Sequence, residues 1–175
     1  SKDGGATWKD KEYDAGFSQF APVVLQHEGR YLFIARNEDK KDTHSQMTWA
    51  PGQNPKLILS NLKPGLGTVD LAFNEMTQRL EVCRSNRDAM KVILWSMDPA
   101  DWEKGQWRRD CQLFACGGEF YKSSDGFHPA AAVIDRKRGV QHIFIYVGHP
   151  NGPAGVFRLS RTLDTRKLAA FLNSQ

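Results

Sequence analysis

Apolar residues in this chain fall in short runs separated by turn residues, and the runs recur on one plan. The first group opens with Phe20-Ala21-Pro22-Val23-Val24-Leu25 and turns at Glu28-Gly29. It continues with Tyr31-Leu32-Phe33-Ile34-Ala35-Arg36, then a polar loop, then Gln46-Met47-Thr48-Trp49. The second runs Val69-Asp70-Leu71-Ala72-Phe73, a turn near Thr77-Gln78, Leu80-Glu81-Val82-Cys83-Arg84, then Met90 to Trp95. The third has His128 to Ile134, a basic turn, Val140 through Val147, then Gly155-Val156-Phe157-Arg158-Leu159. Each group predicts a strand, a turn, a longer strand, a loop and a third strand. Period-two alternation runs through the middle strands, and apolar residues on both faces fit sheets packed between other sheets. Thr165 to Leu172 is rich in helix formers and predicts a short helix or a final strand segment.

The first eight residues, Ser1-Lys2-Asp3-Gly4-Gly5-Ala6-Thr7-Trp8, have the chemistry of a tight turn. Ser1 and Asp3 can bond backbone N–H groups, Gly4 and Gly5 tolerate positive φ, and Trp8 offers an apolar plate to the next strand. The stretch resembles the Asp-box (Ser-x-Asp-x-Gly-x-Thr-Trp) of sialidases and other Asp-box β-propellers, with every consensus position filled. In that family the box is a hairpin turn on the outer part of a blade, away from the catalytic centre. Ser96 to Trp102 resembles a decayed box after a third strand, and Ser160 to Asp164 a weaker one. The resemblance implies an all-β, sialidase-like Asp-box β-propeller with about three blades present, part of a six-bladed ring. On this reading 1–175 is one partial domain: 1–18 the outer edge of a preceding blade, then blades 19–62, 63–117 and 118–175 with the C-terminal tail. Three blades would leave two unpaired faces, so the expected partner is the remaining half of the propeller or a second copy of the chain.

Composition narrows this picture little. With 175 residues, 40% of them hydrophobic, the chain can bury one core, and its five Trp, ten Phe, fifteen Gly and eight Pro suit strands and turns. The net charge of +4 comes from 24 basic and 20 acidic residues, interspersed. That leaves no electrostatic footprint for nucleic acid. The densest basic run, Asp135-Arg136-Lys137-Arg138-Gly139, reads as a solvated hairpin turn, or else as a docking patch for an anionic glycan. No apolar run approaches the roughly 18–20 residues of a membrane span. A start in mid-motif points to a fragment or processed chain, so an extracellular or periplasmic location is favoured if a signal peptide was removed. Cys83 lies in an apolar strand pattern and reads as a core thiol, while Cys111 and Cys116 on one strand would face opposite sides. No His, Cys or Asp spacing makes a zinc or calcium site, and no cofactor is expected.

In a propeller, ligands bind near the central axis. Arg36, Arg84 and Tyr146 end the three second strands in equivalent places, and Asp70 and His128 begin first strands. A guanidinium fork suits a carboxylate because it donates two parallel hydrogen bonds. Phe33 to His44 resembles the sialidase segment in which a strand-ending arginine precedes the catalytic acid in a loop. That resemblance implies substrate contact by Arg36 and proton donation by Asp42, with Asp39 as the substitute. Without it, the stretch reads as a solvated, charged hairpin loop. The family's Phe/Tyr-Arg-Ile-Pro motif is missing: Gln19-Phe20-Ala21-Pro22 and Gly126-Phe127-His128-Pro129 carry phenylalanine where its arginine belongs. A tyrosine nucleophile paired to a glutamate is not identifiable either; Tyr146 is best placed, with Glu81 or Glu119 as conceivable partners.

Three functions follow. The first is sialidase-like hydrolysis of an acidic glycan or polysaccharide, with Arg36 and Arg84 on the carboxylate and Asp42 as acid. The second is a uronic-acid polysaccharide lyase. Phe127-His128-Pro129, His142 and Tyr146 to Gly152 resemble propeller lyases of the Asp-box group, in which His and Tyr act as base and acid. His149 and Tyr146 would take those roles, although a lone strand histidine also reads as a satisfied core residue. The third is a non-catalytic glycan- or protein-binding propeller, with Trp49, Trp102 and Trp107 either stacking on sugars or packing in the core.

Overall fold

The computed structural model describes residues 6–7, 19–37, 43–62, 69–86, 91–115, 127–149 and 152–163. They form three antiparallel sheets, each from one continuous stretch of chain. The first is β1 (Gln19–His27), β2 (Arg30–Asn37), β3 (His44–Trp49) and β4 (Lys56–Leu62), paired in that order. The second is β5 (Val69–Asn74), β6 (Arg79–Asn86), β7 (Lys91–Met97) and β8 (Arg108–Ala115). The third is β9 (Phe127–Asp135), β10 (Val140–His149) and β11 (Gly152–Thr162). The sequence pattern predicts three strands per unit; β4 and β8 are additional. Their exposed and half-buried residues carry no clean alternation, because an outermost strand has little core to face.

Local chemistry sets the turns. His27 pairs with Arg30, so Glu28 and Gly29 form a two-residue loop, both with positive φ (49° and 75°). Such turns match the twist of the flanking strands. Between β5 and β6, Asn74 Oδ1 accepts from the N–H groups of Met76 (3.0 Å) and Thr77 (3.2 Å). The basic run does form an exposed hairpin turn, with Asp135 Oδ1 accepting from Arg138 N at 3.1 Å. Arg136 reaches across to pair with Glu75 of the second sheet.

The stretch resembling a decayed box folds differently from a hairpin turn. Pro99–Lys104 is a 3₁₀ helix between β7 and β8; Asp98 caps its start by accepting from Ala100 N at 2.9 Å. Gly105, in left-handed conformation, caps its end through its N–H to Trp102 O. Ser160 to Thr162, the weaker box, continues strand β11. Of Ser1–Trp8 only Ala6 and Thr7 are described, and Thr165 to Leu172 and Cys116 lie outside the described residues.

Packing is radial. β5 lies against β1 on one side and β9 on the other, so the first strands of the three sheets are innermost. Leu32, Ile34, Leu62, Val69, Leu71, Leu80, Val82, Met97 and Trp102 fill the gap between the first and second sheets. Cys83, Val92, Leu94, Ile143, Ile145 and Val147 fill the next gap. Strand β6 shows why both its faces are apolar: Leu80 and Val82 turn to one neighbouring sheet and Cys83 to the other. Trp102 and Trp107 follow the core reading, while Trp49 is half-buried outside both core clusters. Trp102 is fully buried and meets Trp107 edge to face at 6.2 Å, and Trp49 sits against Tyr31 at 5.0 Å.

Polar side chains tie the sheets together. Gln46 on β3 donates to Trp102 O (2.6 Å) and accepts from Trp107 Nε1 (2.7 Å). Glu103 pairs with Arg30 and Lys56 of the first sheet. Val24 and Leu57 on the first sheet, and Val133 and Val156 on the third, are exposed apolar residues at the two ends of the array, and Phe157 is exposed on β11. No described helix is long and apolar enough to cross a membrane.

Candidate active site

The strand directions gather one set of ends on a single face: the starts of β1, β5 and β9, and the ends of β2, β6 and β10. Strand register places the expected residues there. Arg36 lies opposite Phe20 and His44, Arg84 opposite Val69 and Ile93, and Tyr146 opposite His128 and Val156. The three second-strand residues therefore occupy matching rows. His149 ends β10 opposite Gly152. Asp42, Asp39 and Glu119 lie outside the described residues, and of His128 and His149 the backbone position alone is described.

The side chains part company more than the sequence suggests. On a radial sheet, second-strand residues alternate between the two neighbouring gaps, so a guanidinium there is not aimed at the axis. Arg36 follows Leu32 and Ile34 at the strand period, and Arg84 follows Leu80 and Val82; both stand on faces turned to the gap between the first and second sheets. Arg36 is half-buried. Arg84 is only 2% exposed, with its guanidinium 5.5 Å from the centre of the Trp95 ring. Burial holds its pKa down at about 10. The expected guanidinium held out toward a substrate carboxylate differs from this placement.

Asp70 takes the other face of β5. Its flanking residues Val69 and Leu71 join the first gap, which turns Asp70 toward the third sheet. Burial pushes its carboxyl above the ordinary aspartate range, opposed by hydrogen bonds from the backbone N–H groups of Ala132 and Leu71. Asp70 and Arg84 thus leave neighbouring strands in opposite directions.

Glu81 is no partner for Tyr146. It is 3% exposed and accepts from Asn74 Nδ2 (2.9 Å), Gln141 Nε2 (2.6 Å) and Arg161 Nη2 (2.7 Å), an inter-sheet tie. His142 bonds through Nδ1 to Ser160 Oγ at 2.8 Å on its own sheet.

Sequence reasoning missed a polar cluster on the site face. Asn37 donates through Nδ2 to Thr43 Oγ1 (2.7 Å) and accepts from Ser45 Oγ (2.5 Å), while its N–H bonds Thr43 O (3.1 Å). This pins both ends of the β2–β3 connection, the segment that carries Asp42. The signal was present as paired polar residues flanking the charged loop. His44 is buried beside it. Among the described residues, no cluster of three or more His, Cys, Asp or Glu is arranged to hold a metal ion.

No family model matches the sequence, and no curated protein matches it. Solved structures do match in fold. One is the Bacteroides ovatus xyloglucan PUL protein GH43B, with TM-score 0.53 and 14% identity over 83% of this chain and 27% of that one. Another is the GH43 endo-arabinanase from Bacillus licheniformis, with TM-score 0.51 and 17% identity over 84% of this chain and 58% of that one. The chain spans less than two thirds of either. Both neighbours are glycoside hydrolases with five-bladed propellers, where the Asp-box resemblance implies six blades. The likeness shows a β-propeller fold, of which this chain supplies three antiparallel sheets.

Proposed function

We propose that this chain belongs to a carbohydrate-active glycosidase that works on the face where β1, β5 and β9 begin. The observation that carries the reading is the placement of Asp70, a part-buried carboxyl at the start of inner strand β5 that is hydrogen-bonded to the backbone of Leu71 and of Ala132 in the next sheet. Its burial favours the protonated form. Glycosidic cleavage needs one carboxyl that keeps its proton for the departing oxygen, and a second to attack or to activate water. In this reading Asp70 is the proton donor. Asp42, on the connection anchored by Asn37 and Thr43, is the second carboxylate. That moves the acid from Asp42, which the sialidase resemblance implies, to Asp70. The fold likeness to two glycoside hydrolases supports hydrolysis.

Sialidase-like selectivity for acidic glycans rests on Arg36, because Arg84 is packed against Trp95. The sheets are read as blades within 19–62, 63–117 and 118–175. Further blades, or a second copy of the chain, would cover the exposed apolar residues at the ends of the array.

The test is turnover of chromogenic arabinofuranoside, xyloside and sialoside by the full-length protein. Asp70→Asn is expected to lower kcat by about 100-fold or more. Full activity in that variant would remove Asp70 from the reaction. A lyase is the second reading, favoured by the placement of Tyr146 directly opposite His128. Release of an ultraviolet-absorbing unsaturated uronate, dependent on Tyr146 and His149, would select it over hydrolysis.

A further inference from the structure

On the face opposite the candidate active site, a cleft of about 330 Å³ opens between the first and second sheets. It sits where β1 turns into β2 and β5 into β6, and where the 3₁₀ helix begins. Its volume falls within the roughly 300–1,000 Å³ of small-molecule sites. His27 and Phe73 line it with their rings 4.6 Å apart, together with Glu28, Arg30, Gln78 and Asp98.

Two further observations mark this cleft. Among the described residues, the non-glycine residues with left-handed backbone are Glu28 (φ 49°) and Gln78 (φ 55°), and both line it. They sit in different turns on different sheets, at positions where turns ordinarily recruit Gly or Asn. Strain of this kind persists where a side chain is needed for binding or catalysis. The second observation concerns His27, whose side chain is 11% exposed. Its Nε2 is buried and has no hydrogen-bond partner among the described residues; Glu28 Oε1 lies 3.9 Å away. A buried ring nitrogen in this state calls for a group that completes its bonding.

We propose that this cleft binds a short neutral saccharide. Glu28, Asp98 and Gln78 Oε1 offer acceptors and Arg30 offers donors, so adjacent sugar hydroxyls are matched in both senses. Gln78 bonds Glu75 O through Nε2 and Asp98 bonds Ala100 N through Oδ1, which leaves Gln78 Oε1 and Asp98 Oδ2 for a ligand. A hydroxyl entering between His27 and the 75% exposed Glu28 side chain would complete the imidazole's bonding. Phe73 and Pro99 supply apolar surface for the C–H face of a sugar ring. An anion would meet two carboxylates here, and an aliphatic ligand would strand the polar groups. This site is separate from the face proposed for hydrolysis and does not depend on that reading.

The experiment is a titration of isotope-labelled full-length protein with arabinobiose and with xylobiose, followed through backbone amide shifts. Saturable shifts are expected at Glu28, Gln78 and Asp98, apart from any at Asp70 and Arg36. Glu28→Asn and Gln78→Gly relieve the left-handed strain, so both variants should melt at or above the wild-type temperature. Each should nevertheless weaken disaccharide affinity about tenfold. Lower affinity without lower stability identifies a ligand contact. Absence of cleft shifts with both sugars at millimolar concentration, or unchanged affinity in both variants, overturns the proposal. Shifts confined to the opposite face also overturn it while leaving the glycosidase reading intact. Cleft shifts in a protein that hydrolyses nothing support it and count against that reading.

Discussion

Arg161 donates from Nη2 to Glu81 Oε1 at 2.7 Å, joining β11 to β6 across 80 residues of sequence. Gln141 completes the arrangement, donating to Glu81 Oε2 and accepting from Arg161 Nε, both at 2.6 Å. Removing the carboxylate would leave three donors without their acceptor. Glu81→Ala is expected to cost about 3–5 kcal/mol in urea denaturation. Glu81→Gln keeps the shape and should cost less. A loss within error of zero for Glu81→Ala would mean that the second and third sheets do not depend on this tie.

Gln46 plays the corresponding part between the first and second sheets, holding Trp102 O and Trp107 Nε1 at once. Gln46→Leu fills similar volume but leaves the indole N–H without its acceptor. The expected loss is about 2–4 kcal/mol, from unmet buried groups at about 1–3 kcal/mol each. Near-UV circular dichroism should report changed packing of Trp107 in the same variant; an unaltered spectrum and melting temperature would count against the clamp.

Asp70 links the site to stability. Burial raises its folded pKa above the ordinary aspartate value of about 3.8, so burying the charged form opposes folding. Below about 3.8 the carboxyl is protonated in both states and the penalty is absent. The penalty grows as pH rises through the folded pKa, so this group's contribution to stability falls with pH across that window. Asp70→Asn should therefore melt higher than wild type at pH 7, with the gain shrinking toward pH 4. A variant that melts lower at neutral pH would show that the bonds from Ala132 and Leu71 outweigh burial.

Arg84 places a planar cation over Trp95, with ring and guanidinium carbon 5.5 Å apart. Lysine keeps the charge but not the plane. Arg84→Lys is expected to lose about 1–2 kcal/mol in thermal or chemical denaturation, the scale of a desolvated cation–π contact. Equal stability would mean that charge alone is what the site requires.

Much of the inner architecture was legible before folding. Both-face apolar alternation in β2, β6 and β10 marked the middle strands, and Asp135 to Gly139 marked its turn. The common row of Arg36, Arg84 and Tyr146 followed from counting along those strands. The outer strands were not legible, because residues such as Lys56, Leu57 and Arg108 face solvent on one side and carry no clean period. Nor was the 3₁₀ helix: Asp98-Pro99 signals a turn start, but only the tertiary fit of Trp102 decides that the turn continues as a helix. Side-chain direction was the largest gap. Register tells where Arg84 and Asp70 sit, and the sheet face each takes depends on which neighbours pack beside it.

Among the described residues, each sheet is built from one uninterrupted length of chain. As the polypeptide leaves the ribosome, at about 5–20 residues per second, one sheet can finish its ladder before the next has emerged. What must wait is the polar closure. Gln46 stands without Trp102 and Trp107 until most of the second sheet has been made, and Glu81 without Gln141 and Arg161 until the third. In the nascent chain, the first and second sheets would thus each present an unmet polar socket to the sheet that follows.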